Sequence, residues 1–289
     1  PGVTNVATAL AEAQGDSSRV LHICSSLDSA FAGREVGALH ELVDQSGVLK
    51  SVVKWHRSVR RVSEIPDIIA EALHYMHSGR PGPASVEIPL DILAERDDVT
   101  PLSVSEPGPL APDAGAVAQA AGALSAAQSP VILAGGGVQW SDAGEEVCRM
   151  AELTGAAIVT SYGRADAVPN DHPNYLGHLG RLGSLEGIEA VRQADTILAV
   201  GTRLSQSTTF YDNRFIPADA KIVQIEIDPQ EIGRNYPITV GIEGDAKAVM
   251  EGLLEKVREG EPKPNAQWVS EIGDLVARRT NRLDDEGKD

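Results

Sequence analysis

The chain has 289 residues, room for about two domains at roughly 100–200 residues each. Its net charge of −17 argues against nucleic acid and anionic membrane surfaces as partners, because both are held by clustered Lys and Arg. No run approaches the ~20 apolar residues of a membrane helix, and no signal peptide is visible.

With 42% hydrophobic residues but only 4% aromatics, the core must be built from Val, Ile, Leu and Ala. Pro1 to Asn5 reads as a turn, and Thr4 or Asn5 can cap a helix from Val6 to Gln14. Gly15 to Ser18 closes that helix. Arg19 to Leu27 (RVLHICSSL) has the apolar content of a buried strand. Ser29 to Gln45 is irregular, and Ser51 to Trp55 is a second strand candidate. Glu64 to His77 is an amphipathic helix with Ile65, Ile68, Ile69, Ala72 and Met76 on one face. Gly79 to Pro83 is a rigid turn, followed by the strand Ala84 to Ile88, which Pro89 stops.

From Ala94 to Pro112 periodicity is lost and four prolines recur, the pattern of a semi-rigid linker. Asp113 opens a helix to about Gln128. Strands then alternate with helices: Val131–Ala134, helix Asp142–Thr154, Ala156–Thr160, helix Leu185–Gln193, Thr196–Val200 and Lys221–Ile227. Asp245 caps a helix whose Ala246, Val249, Leu253 and Val257 share a face. Ala266 to Arg282 is a last helix, and the final DDEGKD reads as frayed. Such alternation predicts α/β architecture: a parallel sheet in the first part and an open, doubly wound sheet in the second, with ligands at the carboxyl ends of its strands.

Four strand ends in the second part carry chemistry. Gly135–Gly137 permits close backbone approach, and its amides, with the helix after them, can hold a pyrophosphate; a tight turn is the alternative. Arg203, after Gly201 and Thr202, can grip a phosphate bidentately or form a surface ion pair. Asp228 can accept from a ribose hydroxyl or cap the turn before Pro229. Asp245 can touch an adenine or cap its helix. The absence of G-x-G-x-x-G counts against an NAD-dependent oxidoreductase. His40 beside Glu41 offers proton transfer or a loop hydrogen bond, and His22 reads as a satisfied core residue. His172 and His178 have no metal-site spacing, and Cys24 and Cys148 read as buried free thiols of a reducing cytoplasm.

Taken in order, the words PGVTN, GRPGPASVEIPLDI, SPVILAGGG, AELTGAAIVTSYG, ADTILAVGTRL, AKIVQIEIDPQEIG and GDAKAVMEGL resemble thiamine diphosphate-dependent enzymes of the acetolactate synthase and 2-oxo acid decarboxylase family along nearly the whole chain. The resemblance implies a C-terminal part of a pyrimidine-binding domain over residues 1–93, a linker over 94–112, a Rossmann-like central domain over 113–260, and a linker helix over 261–289 leading towards a diphosphate-binding domain. It also implies that this sequence is a piece of a longer protein. The catalytic glutamate is then expected upstream of Pro1 and the Gly-Asp-Gly metal motif beyond Asp289, so no catalytic or metal-ligating residue is expected in this chain. Pro1 and Asn5 become candidate thiamine contacts, and His40 a candidate active-site wall. Gly135, Gly136, Thr160, Gly201, Arg203, Asp228 and Asp245 become candidate nucleotide contacts.

The implied cofactors are thiamine diphosphate and Mg²⁺ in the complete enzyme, with ADP or FAD in the central domain. Leu204–Ser207 departs from the Asp- and Arg-bearing segment that helps seat flavin in acetolactate synthases, which favours ADP. The implied activity is decarboxylation of a 2-oxo acid with carboligation, in a homodimer or homotetramer of the cytoplasm. Leu39-His40-Glu41 and Arg234–Pro237 look closer to decarboxylases of the guanidino-oxopentanoate type. That type, an oxalyl-CoA type, and a non-catalytic nucleotide-binding module are the alternatives.

Overall fold

A computed structural model describes residues 1–104, 108–212 and 215–286. The chain divides into two compact units, Pro1–Gly108 and Pro109–Asp289.

The first unit is a three-stranded parallel sheet of order β1-β3-β2, with β1 at Leu21–Ser26, β2 at Trp55–Ser58 and β3 at Ala84–Pro89. Helix α1 spans Gly2–Gly15, α2 Gln45–Lys50, α3 Ile65–His77 and α4 Leu90–Ala94. Alternation along β3 decides its two faces. Ala84, Val86 and Ile88 point to a core shared with Ile68, Ala72 and Met76 of α3. Ser85 and Glu87 lie between them in sequence and point to the opposite side, where α1 and α2 place Leu10 and Leu49. The Lys54 amine closes α3 by donating to Tyr75 O, Ser78 O and Arg80 O at 2.5–2.8 Å.

Three expectations for this unit are corrected. α1 starts at Gly2, with no side-chain cap; the Thr4 hydroxyl donates back to Pro1 O at 2.9 Å. β1 is an edge strand, not a buried one, and leaves Ile23 54% exposed. The second strand is Trp55–Ser58, while residues 51–54 are turn and bend.

In the second unit β4 (Pro130–Ala134), β5 (Ala157–Thr160), β6 (Tyr175–His178), β7 (Thr196–Val200), β8 (Lys221–Glu226) and β9 (Val240–Glu243) form one parallel sheet of order β6-β5-β4-β7-β8-β9. The helices are α5 (Ala114–Ser125), α6 (Gly136–Trp140), α7 (Gly144–Thr154), α8 (Leu185–Arg192), α9 (Gln206–Thr209), α10 (Ala246–Glu259) and α11 (Ala266–Glu286). Residues 287–289, the end of the segment read as frayed, lie outside the described residues.

Both faces of this sheet are covered, as parallel sheets require. Ile132, Ile158, Leu198 and Val223 face α5, α7 and α10. Val131, Val159, Ile197 and Ile222 face α8 and α11. The segment expected as a linker helix is packed tightly. Trp268, Ile272 and Leu275 of α11 are each no more than 3% exposed, and Trp268 Nε1 donates to Pro130 O at 3.1 Å. Asp113 caps α5 through Ala116 N, and α7 ends on Gly155 in the left-handed conformation. Chain order runs outward from β4 to one edge and from β7 to the other, so the topological switch point lies between these two strands.

Candidate functional site

The carboxyl ends of β4 and β7 meet through three glycines. A Cβ on Gly135 would overlap Gly201 O, and one on Gly137 would sit 2.6 Å from Gly201 Cα. Gly201 itself has φ +56°, a conformation that glycine adopts without steric cost. Gly135 N donates to Val200 O at 2.9 Å and Gly137 N to Gly201 O at 3.0 Å. Two of these three amides are thus already bonded, Gly135 N to the end of β7 and Gly137 N to the loop that follows it. Close approach is required here, but by backbone against backbone.

Gly136 differs from its neighbours. A Cβ there would lie 2.9 Å from Arg164 Nε, so the Arg164 side chain rests on this residue from the loop after β5. The same edge is tied laterally by Ser161 Oγ and Thr202 Oγ1, 2.8 Å apart. Thr160 is fully buried, its hydroxyl 3.4 Å from Tyr175 OH, so it faces the helix layer and not the loops.

Arg203 is half-buried, and its backbone is clamped. Asn235 Nδ2 donates to Arg203 O at 2.8 Å, and Gln224 Nε2 donates to Thr202 O at 3.2 Å. Asp228 Oδ1 accepts from Gln230 N at 3.0 Å, and Asp245 Oδ1 from Ala248 N at 3.1 Å. Both acids cap the element that follows them, each through one carboxylate oxygen.

Glu226 is an acid that sequence reasoning missed. It ends β8 and is 6% exposed. Burial pushes its carboxyl up to about 7; hydrogen bonds from Ile227 and Asp228 backbone and the charge of Arg203 oppose this, while Glu231 adds to it. The signal was present, an acid inside the apolar run IVQIEI. Arg164 had no comparable signal, because only the fold brings the β5 loop to Gly136.

In the first unit a cleft of about 710 Å³ is bounded by Pro1, His40, Gln45, Ser46 and Glu87. Asn5, the other thiamine candidate, is exposed on α1 and does not line it. His40 is exposed at φ +65°, while Glu41 accepts from Val36, Gly37 and Ala38 N at 2.7–3.2 Å. The carboxylate beside His40 is thus a loop fastener. Behind the cleft lies a buried polar cluster. Ser46 Oγ donates to Glu87 Oε2 at 2.9 Å, and His56 Nε2 lies 3.2 Å from Ser46 Oγ and 3.5 Å from Glu87 Oε2. Burial raises the Glu87 carboxyl, but hydrogen bonds from His56, Ser46 and Ser26 hold it below the ordinary range. His22 bonds Ser85 at 3.0 Å, but it is only half-buried on the edge strand β1 and lines the cleft, so the expectation of a core residue is corrected. Burial and Glu87 push the Cys24 thiol up to about 11, which makes it a poor nucleophile.

Among the described residues no group of three His, Cys, Asp or Glu is placed to hold a metal ion. No helix among them is long and apolar enough to cross a membrane.

Residues 117–253, the glycine-locked sheet and its helices, match the family described as thiamine pyrophosphate enzyme, central domain. Those residues belong to the thiamine pyrophosphate enzyme central-domain family. Similarity to individual members runs through both units. The acetolactate synthase large subunit of Corynebacterium glutamicum is 35% identical over 100% of this chain and 46% of its own length. A probable acetolactate synthase large subunit of Methanocaldococcus jannaschii is 33% identical over 95% of this chain and 47% of its own. A probable 2-ketoarginine decarboxylase of Pseudomonas aeruginosa is 34% identical over 96% of this chain and 49% of its own. The chain thus spans about half the length of the curated relatives it matches.

Proposed function

We propose that this chain serves a thiamine diphosphate-dependent enzyme acting on a 2-oxo acid, with decarboxylation followed by carboligation as in acetolactate synthesis. The observation that carries this reading is its similarity, over both units, to acetolactate synthase large subunits. Residues 1–93 take the part of a pyrimidine-binding domain, 113–260 that of the central domain, and the homo-oligomeric, cytoplasmic setting follows the same reading.

The cleft bounded by Pro1, His40 and Glu87 fits a heteroaromatic ring in size and polarity. When bound, the cofactor supplies an electron sink for decarboxylation. This chain's residues wall the ring, the exposed His40 among them. The described residues do not fit Mg²⁺, since no group of three His, Cys, Asp or Glu among them is placed to hold it.

A second substrate reading, 2-ketoarginine decarboxylation, is favoured by the 34% identity to the Pseudomonas aeruginosa protein of that name. Product analysis separates the two. Given thiamine diphosphate and magnesium, the natural-length protein should convert pyruvate to acetolactate. Release of CO₂ from 2-ketoarginine without acetolactate from pyruvate would replace this reading by the second.

The second unit is proposed to bind an adenine nucleotide, ADP ahead of FAD. Arg203 supplies a cation for phosphate, and Glu226 stands next to it at the strand end to accept from a hydroxyl. Arg203→Ala should weaken ADP binding by roughly 1.5–3 kcal/mol, the scale of a hydrogen bond to a charged group. Calorimetric titration with ADP, FAD and NAD measures it; equal affinities of wild type and variant would remove Arg203 from the site.

A further inference from the structure

We infer that Arg164 is a second phosphate-binding residue of the nucleotide site, acting with Arg203 across the topological switch point. The inference rests on the adenine-nucleotide reading of the second unit. It starts from a deficit of donors. Glycine loops at strand ends hold phosphates through backbone N–H groups. Here the Gly135 and Gly137 amides are bonded to Val200 O and Gly201 O, and α6 is a helix of only five residues. The loop's own backbone is left with little to offer an anion, so side chains have to supply the positive charge. The chain as a whole carries −17 and repels an anion unless cations are concentrated locally.

Two arginines stand at this edge. Arg203 follows Gly201 at the end of β7. Arg164 reaches Gly136 from the loop after β5, its Nε 2.9 Å from where a Cβ would be. The absence of a side chain at Gly136 is what lets the guanidinium lie against the loop; any larger residue there would displace it. β5, β4 and β7 are consecutive in the sheet, so the two arginines come from the strands' ends on either side of the glycine loop. Ser161 and Thr202, bonded to each other at 2.8 Å, hold the two loops in fixed relation. Two arginines carried on the loops to either side of the glycine loop suit a diphosphate, with its two adjacent anionic groups, better than a single phosphate.

The test is calorimetric titration of the full 289-residue chain with ADP and with adenosine, comparing wild type, Arg164→Gln, Arg164→Lys and Arg203→Gln. Arg164→Gln should lower ADP affinity about tenfold and leave adenosine affinity unchanged. Arg164→Lys, which keeps the charge but loses the planar fork, should fall between. Circular dichroism and the unfolding midpoint establish that each variant is folded. If wild type binds ADP and Arg164→Gln binds it equally well, the inference falls while the nucleotide reading stands. If Arg164→Gln weakens ADP and adenosine alike, Arg164 only shapes the loop and the inference falls. If wild type binds no nucleotide, both readings fall together.

Discussion

Glu226 shows how a single buried acid makes stability depend on pH. Its folded-state value near 7 lies above the ordinary 4.5, because burial disfavours the charged form. Between these values the folded chain holds a proton that the unfolded chain has released. Stability from this group is therefore fully present below about pH 4.5 and is lost as pH rises through 7. Arg203 opposes the shift and Glu231 enhances it, so the group reports on the same edge where the nucleotide is proposed to bind. From pH 5 to pH 8 the wild-type chain should lose roughly 2–3 kcal/mol more stability than Glu226→Gln, at 1.36 kcal/mol per unit. Urea denaturation of both proteins at the two pH values measures this, and parallel pH dependences would contradict it. At this scale the sequence was legible where a residue's role is local. Asp113 and Asp245 cap the helices that begin beside them and Asp228 caps its turn, and each was readable as a cap. Arg164 was not singled out, because its neighbour Gly136 is brought to it only by the fold; Glu226 was passed over although an acid inside the apolar run IVQIEI marked it.

Element by element, long amphipathic segments were read well because their packing faces are written in their spacing. Ile68, Ala72 and Met76 of α3 and Val249, Leu253 and Val257 of α10 are all buried as their spacing requires. The short strands were not. β2 reads Trp-His-Arg-Ser, polar because its alternate residues serve the Glu87 cluster on one side and an ion pair of Arg57 with Glu71 on the other. β6 is four residues long with Gly177 at φ +95°, and β9 is four residues long with Gly241, so neither offers a period to detect. The apolar Val52 and Val53 drew the second strand four residues too early. Helix α11 carries a further expectation. Trp268 is 2% exposed and bonded to Pro130 O, so it fastens the helix to the start of β4. Trp268→Ala should cost about 3–5 kcal/mol, the range for deleting a large buried aromatic. Chemical denaturation gives the loss. Amide exchange should show α11 opening first; unchanged protection there would mean the helix is held elsewhere.

On the scale of the whole molecule, two α/β units with separate cores account for the division of labour. The larger unit has helices on both faces of a six-stranded parallel sheet; alternation of strand and helix gave its class and four of its strands, while the edge strands β6 and β9 emerged only in the fold. The smaller unit has a three-stranded sheet whose two outer strands are edges, and its apolar core is split by the polar pair Ser85 and Glu87. Alternation was visible there too, but the edge character of β1 was not, since RVLHICSSL contains the apolar residues of a central strand. The relation between strand ends was not legible in the residues: that β4 and β7 flank the switch point, and that their glycines serve each other.

The mutual contact of Gly135, Gly137 and Gly201 has a consequence for the thermodynamics of recognition. Binding loops that fold around a ligand lose backbone freedom when they do so, at roughly 1–2 kcal/mol for each residue fixed. Here the loop backbones are joined before any ligand arrives, by two hydrogen bonds and by contacts that admit no side chain. The ordering has already been met by folding. The nucleotide proposed to bind at this edge would need to immobilise side chains but not these loop backbones, and its affinity would be correspondingly insulated from the entropy of the loops.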